Sequence, residues 1–224
     1  MNYGKDFEKY AMSDHNVSSL NMHYHKQQLE NSMTPYILEE REMRVTQMDI
    51  FSRLMADRLL WVAGPVNDQM STIVQAQLMF LSNTANEDIT MHIDSPGGSV
   101  KSGLSMVDVM DYIPCDIKTV NTGMAASMGS VLLGAGTKGK RSSLKHSTTM
   151  LHQSSGGFSG NIQDAKVDWA EWQKVNEELF VLLGSYCDKT AEQVKNDATR
   201  DFWLNAVEAK KYGIIDEIIK PRTK

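Results

Sequence analysis

Between residues 58 and 152 the chain alternates short apolar runs with stretches of helical period, and that rhythm restricts the fold more than any other feature. "RLLWVAG" (58–64), "DITMHID" (88–94) and "DIKTVN" (116–121) read as buried strands. After the first comes "DQMSTIVQAQLMFLSNT" (68–84), with Met70, Ile73, Val74, Leu78 and Leu81 expected on one inward face. After the second, "SPGGSV" turns into a helix with Leu104, Val107, Met110 and Ile113 inward. "SMGSVLLGAG" reads as a further helix, and "KRSSL" and "TTMLH" as short strands. The gaps between the first three strands hold a helix and are too long for hairpin turns, so the strands are expected to run parallel through βαβ crossovers. The expected class is α/β with a mostly parallel sheet.

One element departs from the rhythm. From Asn161 to about Asp188, Ile162, Ala165, Trp169, Trp172, Val175, Leu179 and Leu183 recur at steps of three and four. The helix is long for a crossover in so small a domain, and glycine-rich "SSGGFSG" precedes it. Two readings fit: a long core helix, or a strand-plus-helix arm that buries its Trp stripe against another subunit. Residues 1–33 are polar and aperiodic and read as a flexible extension or a removable propeptide. His23 and His25 make a short HxH there without a third ligand nearby, so no metal is expected. Residues 34–224 read as a single domain, and a hydrophobic fraction of 41% gives it a core. The net charge of −5 argues against nucleic acid. No apolar run approaches the roughly 18 residues that cross a membrane, and the N-terminus has no secretory apolar region. Cys115 and Cys187 lack CxxC spacing and read as reduced thiols of a cytoplasmic protein.

"NTGMAASMGS" (121–130) places one serine among Gly, Ala and Met where a strand turns into a helix. Small residues there either pack a helix tightly on a sheet or let Ser127 stand at a sharp apex, as a nucleophile does. A serine hydroxyl needs a base, and the base an orienting acid. His15, His23 and His25 lie in the polar extension, and His92 and His146 in an ordinary strand and turn. His152 ends "TTMLHQ", where its ring would emerge at a sheet edge, as a base or as a structural group. Asp94, Asp111, Asp197 and Asp201 all border apolar segments. Asp201, in "ATRDFWLNA", is either a desolvated orienting carboxylate or a helix cap. "DSPGGSV" lets backbone amides face open space at a helix start, the geometry of an oxyanion or anion site. It lacks the GxxxxGK[ST] of a phosphate loop.

"IDSPGGSVKSGLSMVDVMDYI", "NTGMAASMGSVLLGAGTKGKR", "MLHQSSGGFSG" and "RDFWLNAVEAKKYGIIDEII" together resemble the proteolytic subunits of the Clp protease, the ClpP family, from about Thr34 to Ile219. The resemblance implies a ClpP/crotonase-like βαβ superhelix with a projecting strand–long-helix handle at about 153–188. It implies Ser127 as nucleophile, His152 as general base, Asp201 as the acid that orients it, and the amides of Gly98 and Met128 as the oxyanion hole. No cofactor follows. The implied activity is that of a self-compartmentalised serine endopeptidase, a homo-oligomer of two stacked seven-membered rings. An ATP-dependent unfoldase of the ClpX, ClpA or ClpC kind would feed it unfolded chains. Two other readings stay open beside it. One is a catalytically idle structural subunit of a mixed ring; the other is an acyl-CoA enzyme of the crotonase type, which would need catalytic carboxylates and a CoA site.

The chain also departs from what the resemblance implies. Ser154 stands where a proline is usual after "HQ", which predicts a looser turn into the handle. Thr90, His92, Tyr112 and Ser142 stand where aromatics often line the ATPase-docking pocket. Thr199 replaces the usual acidic neighbour of Arg200, a ring-contact position.

Overall fold

A computed structural model describes residues 36–41, 44–157 and 161–220, so the expectations for residues 1–33 lie outside the described residues. The contacts divide the chain between Arg53 and Leu54. In the first unit, β1 (Tyr36–Arg41) and β2 (Arg44–Asp49) form an antiparallel hairpin, in register from Tyr36 opposite Asp49 to Arg41 opposite Arg44. The short helix α1 (Ile50–Ala56) follows. Asp49 starts it by accepting the N–H groups of Phe51 and Ser52, each at 3.0 Å.

The second unit is built on β3 (Leu59–Ala63), β4 (Ile89–Ser95), β5 (Ile117–Ala126), β6 (Arg141–Leu144) and β9 (Glu217–Ile219), all parallel and adjacent in that order. Helix α2 (Asp68–Thr84) crosses from β3 to β4 and α3 (Val100–Tyr112) from β4 to β5. Each opens on a side-chain cap: Asn67 accepts from Met70 N–H and Ser99 from Ser102 N–H. Arg58 closes the far end of α2, donating to the carbonyls of Leu81 and Ala85 at 3.0 and 3.1 Å. The core lies between sheet and helices, with Leu60, Val62, Met91 and Ile93 from the strands against Val74, Leu78, Met106 and Met110. Ile73 is not part of it. The buried stripe of α2 is Ser71, Val74, Leu78 and Leu81, and Ile73, one position off that stripe, is 48% exposed.

The sheet forks at β5. Residues 119–121 of β5 pair with β6, whereas 124–126 pair with β7 (Thr148–Leu151). β8 (Phe202–Asn205) then pairs antiparallel with β7. The strand expected at 116–121 therefore runs on through "TGMAA" to Ala126, because a second partner takes over where the first one leaves. Between the two pairings, the Asp94 carboxylate accepts the Met124 N–H at 2.9 Å, just where the β4–β5 register shifts. Gly123 has room for that carboxylate; a Cβ there would lie 2.6 Å from Asp94 Oδ1.

Helix α4 (Met128–Gly134) follows β5, and α5 (Ile162–Tyr186) is the long helix. Its buried residues are Leu179, Phe180, Leu183 and Gly184, all in the C-terminal half. Ile162, Val167 and Trp169 in the other half are exposed, and no residue of that half is fully buried among the described residues. Residues 152–157 have no strand partner among the described residues. Short helices α6 (Ala191–Asp197) and α7 (Ala206–Tyr212) flank β8, and each starts in a reciprocal capping box.

Candidate active site

Ser127 is the single residue between β5 and α4. Its backbone stands at φ 53°, ψ −123°, a left-handed conformation that an L residue holds only when its surroundings impose it. The surroundings are specific. The Ser127 N–H donates to Met150 O of β7 at 2.9 Å. On the other side lies Gly97, where a Cβ would sit 2.5 Å from Ser127 Cβ and 2.8 Å from Met128 N. As the residue before α4, Ser127 could cap the helix with its hydroxyl, but it does not. The hydroxyl turns instead to His152, with Oγ 2.8 Å from Nε2.

The fork brings the imidazole there. His152 follows β7, and β7 reaches Ser127 only because β5 has exchanged β6 for β7 three residues earlier. Leu151 pairs with Phe202 across the antiparallel β7–β8 ladder, so the next residues outward, His152 and Asp201, face each other. Their side chains meet with Nδ1 3.2 Å from Asp201 Oδ1. A carboxylate only accepts, so the Nδ1 proton points to Asp201 and Nε2 is left to accept from Ser127. The Asp201 side chain is 61% exposed, not the desolvated group the sequence suggests, because it sits just outside the last strand of this sheet edge. The other three acids are engaged elsewhere. Asp94 holds the fork, Asp197 accepts from the Tyr212 hydroxyl at 3.0 Å, and Asp111, near the end of α3, has its pKa raised by burial and then by the charge of Asp108. His92 stacks on Trp61 at 4.8 Å, and burial holds its pKa below the ordinary value.

The SPGG turn closes the other side. Val66 N–H donates to Gly97 O at 2.8 Å and Ser99 N–H to Val66 O at 2.9 Å, a parallel bridge that straddles Gly98. In such a bridge the middle residue's own N–H points to the opposite side, away from Val66. Gly98 has φ +149°, and a Cβ there would lie 2.3 Å from Val66 O. Met128 N–H is the first amide of α4 and has no acceptor within the helix. Beside this turn opens a cleft of about 580 Å³, with Ser99 and Lys101 on one wall and Ser155, Gly156 and Trp172 on another.

One group escaped the sequence reading, and the effect of a second, already noted there, was misjudged. Asn121, fully buried, donates to Thr148 O at 2.9 Å, and its own carbonyl accepts from the Ser147 hydroxyl at 2.9 Å, so it fastens β7 at the fork. An amide inside the apolar strand "KTVNTG" was the available signal, since buried polar groups need partners. The other is Ser154. Its hydroxyl and N–H both engage α5, so the turn expected to be loose is tied down.

A serine hydroxyl on an imidazole nitrogen, backed by a carboxylate and next to the amide that opens a helix, can do the chemistry of a serine hydrolase. The Clp protease family model matches residues 40–222. Curated relatives carry the name ATP-dependent Clp protease proteolytic subunit. That of Porphyromonas gingivalis (strain W83) is 42% identical over 98% of this chain and 99% of the relative. That of Bacteroides fragilis (strain YCH46) is 43% identical over 96% and 98%. A second Bacteroides fragilis protein, from strain ATCC 25285, is 46% identical over 84% and 91%. The chain belongs to the Clp protease family. Its activity is that of a serine endopeptidase, a hydrolase of peptide bonds.

Proposed function

We propose that Ser127, His152 and Asp201 carry this peptidase activity as nucleophile, general base and orienting acid. The observation that supports the assignment most is the 2.8 Å approach of Ser127 Oγ to His152 Nε2 at a strained strand–helix junction. His152 takes the hydroxyl proton as Oγ attacks the scissile carbonyl. The Gly98 and Met128 amides receive the negative charge that develops on the carbonyl oxygen. The protonated imidazole gives its proton to the leaving amine, and the acyl-enzyme on Ser127 is hydrolysed by water through the same relay. Asp201 keeps the imidazole in the tautomer that leaves Nε2 free to accept. The cleft beside Ser99, together with residues 155–157, which have no strand partner among the described residues, suits a substrate in extended form.

Residues 34–224 act in this reading as one peptidase domain, with residues about 153–188 as the handle. The exposed Ile162 and Val167 of α5 support burial against further copies in two stacked seven-membered rings. The relatives' names include "ATP-dependent", which supports an ATPase partner here, an unfoldase that supplies unfolded chains. Thr90 and Ser142 line a cleft of about 320 Å³ together with Lys118, Lys140 and Arg141, so a docking segment placed there would meet charge more than aromatic surface. No helix among the described residues is long and apolar enough to cross a membrane, which fits work in the cytoplasm.

The direct test is labelling of the purified chain with a fluorophosphonate probe and mapping of the adduct by mass spectrometry. An adduct on Ser127 is expected; an intact protein that stays unlabelled there overturns the assignment. For the oxyanion site, Gly98→Ala is expected to lower kcat by about 10²–10³ with a much smaller change in KM, because the added methyl group pushes the turn off Val66 and carries the amide with it. Peptide hydrolysis and a melting curve on the same preparation check it. A kcat equal to that of the unaltered protein removes Gly98 from the oxyanion role.

A further inference from the structure

The segment that leaves His152 is held from the side by α5. The Ser154 N–H donates to Asn176 Oδ1 at 2.9 Å, and the Ser154 hydroxyl donates to the same oxygen at 2.8 Å. Trp172 Nε1–H donates to Ser154 Oγ at 2.6 Å. The direction of every bond is forced. An indole N–H and a backbone N–H can only donate, so Ser154 Oγ has to accept from Trp172 and Asn176 has to present its oxygen. The hydroxyl proton is then left for Asn176, whose Oδ1 uses both lone pairs. Residues 172 and 176 stand one turn apart on the same face of α5, facing this segment together. The Trp172 ring also lies against Gly156, where a Cβ would come within 2.7 Å of it.

The position of the network gives it consequence. Ser154 is two residues from His152, in a stretch without strand partners among the described residues. Before His152, Met150 is tied to the Ser127 N–H; after it, the Gln153 N–H donates to Ala198 O at 3.3 Å. The next fastening point among the described residues is Ser154. A proline at 154 would stiffen the same turn through its fixed φ, but it would offer neither the N–H nor the hydroxyl. Here hydrogen bonds do what the ring would otherwise do.

We propose that Asn176 and Trp172, acting through Ser154, are positioning residues for His152. They hold the backbone beyond the imidazole so that Nε2 stays in line with Ser127 Oγ. This rests on the reading of His152 as general base. A displacement on the order of 1 Å in such a relay costs up to about 10² in rate, without changing how the substrate is held.

The test uses the full chain with Asn176→Leu, Asn176→Asp and Trp172→Phe. The readouts are kcat and KM for a short fluorogenic peptide, the rate of fluorophosphonate labelling at Ser127, and the melting temperature. Asn176→Leu removes the acceptor and Trp172→Phe the indole N–H. Both are expected to lower kcat and the labelling rate together, by about tenfold or more, and Asn176→Leu, at a position outside the cleft beside Ser99 that Trp172 lines, to do so with KM unchanged. Asn176→Asp keeps an acceptor and is expected to keep most of the labelling rate. Should Asn176→Leu fail to fold, Trp172→Phe, which retains an aromatic ring, carries the same comparison. Labelling rates equal to the unaltered chain in folded variants overturn the positioning role alone. No adduct on Ser127 even in the unaltered chain overturns it together with the assignment of the triad.

Discussion

Ser127→Ala is expected to abolish peptide hydrolysis and leave the melting temperature where it is. The hydroxyl makes no helix-capping bond, so α4 loses nothing when it goes. The tether from the residue 127 amide to Met150 O is a backbone bond and survives. Alanine has the same Cβ against Gly97, so the packing of the turn is kept, and the left-handed backbone strains alanine about as much as serine. What disappears is the atom proposed to attack. In serine hydrolases generally, loss of the nucleophile lowers kcat by about 10⁶, and what remains comes from the oxyanion donors and substrate binding. The measurement is hydrolysis of a short fluorogenic peptide beside a thermal melt. A protein with alanine at 127 that cuts at the original rate would remove Ser127 from the mechanism. A protein that loses activity and stability together would make the residue structural. The same substitution decides against an idle ring subunit, because an idle chain has no hydrolysis to lose.

The elements with strong periodicity are legible in the sequence alone. The parallel strands, α2, α3 and the long α5 come from spacing that only one kind of secondary structure satisfies. The site was partly legible for the same reason: "AASMG" after an apolar run announces a sharp strand–helix junction, and the structure has one. Spacing alone did not pick out the carboxylate that meets His152; Asp201 was named only through the resemblance to the ClpP family. Asp94, Asp111, Asp197 and Asp201 border similar apolar segments, and what separates them is the antiparallel pairing of β7 with β8, a contact between residues 49 positions apart. Local sequence carries no record of such a pairing. The extent of β5 was missed because "TGMAA" has weak strand propensity of its own; it is extended because β7 supplies a ladder. Ile73 shows the opposite limit. An apolar residue near the inward stripe of a helix need not be on it, and one step of about 100° decides. Ser154 could be spotted as unusual, yet its effect could not be read, since its partners on α5 lie 18 and 22 residues away.

The largest expected loss of stability comes from a pair far from the site. Arg141, 3% exposed, donates from Nε to Asp216 Oδ2 at 2.9 Å and from Nη2 to Oδ1 at 2.6 Å, a two-bond fork. Its Nη1 donates to Tyr186 O at the end of α5 at 2.7 Å, and Asp216 also accepts the N–H groups of Arg141 and Gly139 at 3.0 and 2.8 Å. One ion pair thus joins the start of β6, the approach to β9 and the end of α5. Asp216→Asn leaves a buried guanidinium facing an amide that cannot accept at both positions. Removing one partner of a buried pair costs about 3–5 kcal/mol, which for a chain of this size lowers the melting temperature by on the order of 10 °C. The pair also sets a pH dependence. Burial alone pushes the Asp216 carboxyl up, but the hydrogen bonds and charge of Arg141 outweigh it and hold the pKa below the unfolded value of 3.8. A depressed carboxylate stabilises the fold in full above its unfolded value, and the contribution fades as pH falls through the folded one. Asp88 adds to the same limb, lowered by hydrogen bonds from Lys118 and then Lys140. The unaltered protein is therefore expected to lose stability as pH drops below about 4, and Asp216→Asn, already without the pair, to lose less over the same range. Denaturant midpoints measured from pH 6 down to pH 3 test this; parallel curves for the two proteins would show that Asp216 does not carry the acid limb.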